Sequence, residues 1–385
     1  MSARVQPELR NQLIQFGIGD WNACYHCGTC TAICPLSENG FLFPRKKIRL
    51  MQMGLKNELE SSLEPWLCYY CGECTDLCPR DANPGELMMS LRRYLTSKYD
   101  WTGLSKKFYT SEIWELAFIL LFAMLVVIAF LILLPAMGYQ FTTELTAEGG
   151  VRINSFAPIR IVESFDWSMA AVVASLLISN IIRMYYKTIW KSGKISVSLW
   201  VHIREFWLLL YNFAFQPKFS KCDDRRYWLS HWFLMSGYTI MFIVIVVYLP
   251  WFQTEKILPV WNPQRLLGYY ATFGLLFGLL VAIFGRIRKR EIKFQFSHVS
   301  DWLFLAMLTL TVVTGILVHI FRITGMAHAT YISYISHMAV LVPMILIEVP
   351  FSKWSHLAYR PFAVYFQRLK NNSVPRKTRE ALKHS

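Results

Sequence analysis

CYHCGTCTAICP at residues 24–35 recurs as CYYCGECTDLCP at residues 68–79, and these two runs decide how the chain is read. Each has the spacing C-x2-C-x2-C-x3-C-P. Three thiolates set that closely converge from one loop on one face of an iron–sulfur cube. The proline then stops the loop, so the fourth thiolate turns toward a neighbouring cube. Cys24, Cys27 and Cys30 are therefore expected to share one [4Fe–4S] cluster with Cys78, and Cys68, Cys71 and Cys74 a second with Cys34. Structural zinc would be satisfied by two pairs of thiolates, leaving the extra arm of each run without a purpose. Disulfides would need an oxidising compartment.

The chain has 385 residues, room for two or three domains, and 54 % of them are hydrophobic, more than a soluble globular protein usually carries. Eight of its nine cysteines lie in the two runs; Cys222 stands alone. Residues 1–17 contain no apolar segment of the signal-peptide kind, and clusters suit a reducing compartment, so the N-terminus is expected in the cytoplasm. The formal charge of +15 would suit nucleic acid. Its basic residues cluster beside apolar runs, however, which is the pattern of membrane topology and points to lipid instead.

Residues 1–105 read as a polar, mostly helical module carrying the clusters, which stand in for much of its core. Residues 44–61 suggest one helix with Ile48, Met51, Leu55 and Leu59 on its buried face. Pro84 opens another through Leu87, Leu91 and Leu95. The module is too small for a complete flavoenzyme, and no G-x-G-x-x-G or P-loop follows a strand.

Residues 106–370 contain six apolar runs, at 114–134, 165–186, 227–249, 266–284, 302–321 and 331–349, each long enough to cross a bilayer. The second is the weakest, because Asn180 and Arg183 interrupt it. Lys187, Lys191, Lys194, Arg204, Lys218, Lys221, Arg225 and Arg226 crowd the connection between the second and third runs. Arg286, Arg288, Lys289, Arg290 and Lys293 follow the fourth, and residues 371–385 form a basic tail. The alternate connections carry only Arg152, Arg160, Lys256 and Arg322. This bias places both termini in the cytoplasm, as six spans also require, in an inner-membrane protein. Residues 196–215 are apolar yet lie in a basic connection. They read as an interfacial helix with Trp200, Phe206 and Trp207 in lipid, or as a docking surface.

Four histidines fall at the ends of runs, where ionisable groups are costly and usually functional. Counting spans from the cytoplasm sorts them into an inner pair, His231 with His356, and an outer pair, His319 with His337. Facing imidazoles in a helical bundle are the standard axial ligands of haem, so two b-type haems stacked across the membrane are expected. His337 and His356 are roughly 100° out of phase on one ideal helix, which calls for different neighbours or a kink at Pro343 or Pro350. Met241 and His328 are alternatives to His319.

The cysteine module resembles the α-helical ferredoxin that forms the C subunit of heterodisulfide reductases. RYWLSHWFLMSGY at 226–238, YISHMAVLVPM at 334–344 and EVPFSKWSHLAYRPF at 348–362 resemble the membrane gamma subunits of respiratory nitrate reductases and the membrane E subunit of heterodisulfide reductases. In that resemblance His231, His337 and His356 occupy ligand positions, while the fourth falls near Met241. The fusion of both modules is similar to the C subunit of the quinone-interacting membrane-bound oxidoreductase complexes of sulfate reducers.

The expected architecture is therefore all-α: an N-terminal α-helical ferredoxin domain with two [4Fe–4S] clusters, followed by a six-helix transmembrane cytochrome b bundle. The resemblance implies menaquinol as substrate, flavin- and iron–sulfur-bearing partner subunits on the cytoplasmic side, and adenylylsulfate reductase downstream. Lys256, Arg265 and His328, with Glu255, are the polar residues expected near an outer quinone site; His298, Glu348 and the segment around His202 offer an inner one. A heterodisulfide-reductase-type subunit with another soluble partner is the alternative, and a haem-free anchored ferredoxin acting as redox sensor is a further one.

Overall fold

The computed structural model describes residues 4–19, 21–37, 41–191, 195–217, 219 and 225–375. Cys222, Lys194, Lys218, Lys221 and the tail residues 376–385 lie outside the described residues. The protein is mostly helical. Among the described residues its only paired strands are Ile195–Ser196 and Val374–Pro375, which run antiparallel.

The two cysteine runs trace the same path. His26 and Tyr70, between the first and second cysteines, both take a positive φ, at 60° and 57°. Gly28 and Gly72, between the second and third, sit at 96° and 97°, where a side chain would be strained. Each glycine opens a one-turn helix, Thr29–Ala32 and Glu73–Asp76, which carries the third cysteine.

The expected single helix over 44–61 is two, Arg45–Gln52 and Lys56–Glu60. Gly54 separates them at φ +64°, and a Cβ there would lie 2.7 Å from the Gln6 carbonyl oxygen, so the close chain approach breaks the helix. The helix from Pro84 runs to Tyr99 with Leu87, Leu91 and Leu95 buried.

The module also has a larger core of its own than the sequence suggests. Leu9, Leu13, Ile48, Leu59, Trp66 and Tyr94 are among its buried side chains. Each such side chain contributes about 2 kcal/mol of burial. This core continues without a break into Met184, Tyr359, Ala363 and Phe366 of the membrane half. Trp66 and Tyr99 both pack on Tyr359, with ring centroids 5.1 and 5.5 Å away.

Among the described residues six helices are long and apolar enough to cross a membrane: Glu112–Ala136, Ile159–Trp190, Arg225–Val246, Pro263–Arg288, Val299–Ile323 and Ala327–Phe351. Each exceeds or shifts the apolar run that marks it, because helices continue into polar caps that hydropathy does not register. The second, interrupted in sequence, spans 32 residues. Asn180 is fully buried within the protein and Arg183 exposed, so the polar residues cut the apolar run without ending the helix. The third and fourth spans pack closest. A Cβ on Gly274 would stand 2.5 Å from the Phe233 carbonyl oxygen, a backbone approach that only small residues permit.

The expected interfacial segment forms the helix Leu199–Phe215. Trp200, Ile203, Phe206 and Trp207 are exposed on one side of it. The opposite side packs on the final helix, His356–Asn371, where the Tyr365 hydroxyl donates to the His202 carbonyl at 3.0 Å.

Candidate functional site

Cys24, Cys27, Cys30 and Cys78 line one cleft of about 320 Å³, together with Tyr25, Arg45 and Arg80. The fourth cysteine of the second run thus stands with the first three of the first run. Cys34 in turn has Cys68 and Cys71 as neighbouring thiols, and Cys74 has Cys68, Cys71 and Cys34, with Cys30 the weakest influence. Burial, helped by those thiols, pushes Cys34 up to about 12 and raises Cys74; burial with Cys24, Cys27 and Cys78 raises Cys30. Cys27, exposed, is held below the ordinary thiol value by the Thr29 hydroxyl and amide. Buried thiols crowded without a cation keep their protons; metal ligation removes them. Among the described residues no three His, Cys, Asp or Glu side chains close on a single point.

A second cleft, of about 480 Å³, opens where the module meets the bundle. His231 of the third span and His356 face each other across it, with ring centroids 6.4 Å apart and planes at 55°. Two imidazoles sharing one metal ion at about 2 Å each have centroids about 6 Å apart. The Nδ1–H of His356 donates to the Lys353 carbonyl at 2.7 Å, leaving Nε2 as the bare nitrogen. Metal-binding histidines are usually anchored in this way. Burial pushes His356 down to about 3, which keeps the ring neutral. His231 Nδ1 is buried without a hydrogen-bond partner. Met235, Tyr238, Phe213 and Pro361 supply apolar walls. The donors, spacing and walls fit a haem with two histidine ligands.

The position of His356 corrects the sequence reading. The sixth span ends at Phe351; Ser352 breaks the chain, Lys353–Ser355 forms one tight turn, and His356 begins a new helix. His337 and His356 therefore share no helix, and their phase mismatch disappears. A π-helical segment, Met344–Glu348, also shifts the register after Pro343.

The outer histidines have different partners. His337 Nδ1 lies 3.1 Å from the Thr311 carbonyl and 3.0 Å from the Thr314 hydroxyl, anchored like His356. His319 Nε2 is 3.3 Å from Arg265 Nη1 and 3.2 Å from the Tyr269 hydroxyl, both on the fourth span. Met241 is half-buried on the third span.

The other polar candidates separate. Lys256 is exposed, and the neighbouring Glu255 accepts from the Asn154 amide at 2.8 Å. His328 belongs to the first turn of the sixth span, not to a loop, and packs on Phe141 at 4.9 Å. Among Lys256, Arg265 and His328, only Arg265 joins a histidine. At the other end, His298 caps the fifth span by accepting from the Ser300 amide.

Two groups at the inner cleft and one behind the second cysteine run escape motif reading. Tyr69, inside the second run, lines the cleft beside His231 and stacks on Phe219 at 5.2 Å. Arg360, one turn after His356, lies 3.6 Å over Tyr69, and its Nη2 is buried without a hydrogen-bond partner. Arg92 donates to the Pro65 carbonyl at 2.7 Å and also to the Cys68 carbonyl, pinning the second run from behind. The i+4 spacing of His356 and Arg360 is the one signal sequence offered.

Residues 20–82 match a family described as a 4Fe–4S dicluster domain. Over 77 residues the chain is 42 % identical to a heterodisulfide reductase C-subunit-like protein of Archaeoglobus profundus, covering 20 % of this chain and 41 % of that one. Over 76 residues it is 38 % identical to a C-type iron–sulfur subunit of the CoB–CoM heterodisulfide reductase of Methanocaldococcus jannaschii, covering 20 % and 40 %. The chain thus spans about two fifths of the length of these curated relatives. No solved structure matches it significantly. The N-terminal part is a 4Fe–4S dicluster module similar to heterodisulfide reductase C-like proteins, followed among the described residues by six helices long and apolar enough to cross a membrane.

Proposed function

We propose that this chain is the membrane electron-transfer subunit of a respiratory complex, oxidising menaquinol and delivering electrons to soluble partners. The observation that carries the reading is a shared wall: Tyr69, one residue after Cys68, bounds the cleft between His231 and His356. A b haem there and two [4Fe–4S] clusters would supply one-electron chemistry, which protein side chains lack. His231 and His356 would hold the inner haem, and Arg360 would meet its acidic edge with the unpartnered nitrogen. Cys24, Cys27, Cys30 and Cys78 would hold one cluster, and Cys68, Cys71, Cys74 and Cys34 the other.

His337, anchored on a backbone carbonyl like His356, supports an outer haem, with His319 as its expected partner. Quinol would bind at the outer ends of the last four spans. Arg265 beside Tyr269 and His319 is the best supported contact there, ahead of Lys256 and His328. Both termini and the cysteine module would face the cytoplasm, so electrons cross the membrane while quinol protons leave outside. The fusion of these modules favours flavin- and iron–sulfur-bearing partner subunits, with adenylylsulfate reductase downstream. The names of the matched relatives favour the variant in which a heterodisulfide-reductase-type partner takes the electrons.

Purified protein mixed with a menaquinol analogue tests the reading. Reduction of both clusters on the turnover timescale is expected, and Arg265→Leu should slow it at least tenfold. Clusters that quinol never reduces, in protein with its full iron content, would overturn it.

A further inference from the structure

Glu115 of the first span and Glu348 of the sixth are the least accessible carboxylates at the module end of the bundle, 1 % and 0 % exposed. Both side chains reach the turn at Ser352 and Lys353. Ser352 Oγ donates to Glu115 Oε1 at 2.5 Å, and the Lys353 amide donates to Glu348 Oε2 at 3.2 Å. Glu348 Oε1 is buried without a hydrogen-bond partner. The Lys353 ammonium, on the same turn, pairs with Asp301 at 2.5 Å. Glu112, Asp301 and the Tyr109 phenol complete the charged and titratable surroundings. Two carboxyls buried on the same turn repel each other when both are ionised, so a proton shared by the pair lowers the cost of burying them.

One residue connects this pair to the inner cleft. The Lys353 amide holds Glu348, and the Lys353 carbonyl holds His356 Nδ1. A change of charge at Glu348 is thus felt at the imidazole through the two peptide units that flank the Lys353 Cα and through the low-dielectric interior.

We infer that the Glu115–Glu348 pair is a proton-binding site linked to the redox state of the group that His356 holds. This rests on the reading of His231 and His356 as haem ligands. The pair takes up one proton when one electron arrives at the His231–His356 site, from quinol or from an added chemical reductant, and releases it on re-oxidation. The charge at the buried end of the bundle then stays constant. The aqueous entry is the Lys353 side, where that side chain is 35 % exposed.

The full chain, purified with its cofactors, is titrated at several pH values and followed by the haem bands. The inner midpoint potential should fall as pH rises, by up to about 59 mV per tenfold drop in proton concentration for one electron. In Glu348→Gln and Glu115→Gln the slope should flatten while the bands persist. An infrared difference spectrum of the wild type should show a protonated-carboxyl band that responds to reduction, and its absence overturns the inference without any variant. An unchanged slope in both glutamine variants also overturns it. Protein without b-type bands defeats the haem reading and the linkage together, and that failure is seen before any titration begins.

Discussion

The guanidinium of Arg360 lies 3.6 Å over the ring of Tyr69, joining the helix that begins at His356 to the loop that begins at Cys68. The candidate haem cleft and the second cysteine run therefore share a side-chain contact, not merely a neighbourhood. Phe219 packs beside the same ring at 5.2 Å, and the Arg360 guanidinium lies 5.9 Å from it as well. A desolvated cation–π pair contributes about 2 kcal/mol, so the junction is stiff as well as short.

Arg360→Leu and Tyr69→Leu should each slow cluster reduction several-fold while leaving cysteine-bound iron at wild-type levels. Rapid-mixing kinetics with optical and EPR detection measures both. Wild-type rates in both variants would show that electrons leave the bundle elsewhere.

The crossed arrangement of the cysteines predicts crossed defects. Cys78→Ser should damage the cluster of Cys24, Cys27 and Cys30, and Cys34→Ser that of Cys68, Cys71 and Cys74. EPR of the reduced proteins distinguishes the two signals. Damage confined to the cluster of its own run, in either variant, contradicts the crossing.

Much of this was legible in the sequence because spacing and hydropathy are local signals. The repeated C-P arms anticipate the mixed set around Cys24 and Cys78. Span parity anticipates that His231 meets His356. What stayed hidden depends on the backbone. Nothing in EVPFSKWSH announces that Ser352 breaks the chain, so His356 looks like the end of a span rather than the start of a helix. The contact of Gly54 with Gln6 divides the helix expected over 44–61 for the same kind of reason. Glu115 carried a readable signal: an acid in the most apolar span, where the cost of burial argues for a role.

Lys187 pairs with Glu60 at 2.8 Å and ties the second span to the module. Burial opposes ionisation of Glu60, but Lys187 and the Tyr94 hydroxyl at 2.9 Å outweigh it and hold the carboxyl below its usual range. A folded-state value below the unfolded one stabilises fully above about pH 4.3, the unperturbed glutamate value. That contribution disappears as pH falls through the folded value. Lys187→Met should therefore destabilise the protein by about 2 kcal/mol at neutral pH, between the surface and buried cases. Thermal unfolding followed by circular dichroism should show the gap to wild type closing in acid. A gap independent of pH would contradict the pairing.

His337→Ala should remove an outer haem and spare the inner, because its imidazole is anchored on Thr311 far from the module. His319→Ala separates two roles. Loss of the same haem identifies His319 as the partner, whereas two haems with slowed quinol oxidation assign it to the substrate beside Arg265 and Tyr269.

The central claim is that His231 and His356 hold one haem against the cluster module. Low-temperature optical spectra and pyridine haemochrome assays of wild type, His231→Ala and His356→Ala, purified from membranes, test it most directly. Low-spin b-type bands in the wild type are predicted, with the same single haem lost from either variant and both cluster EPR signals retained. Wild-type protein without b-type bands, or two variants that lose different haems, would contradict it.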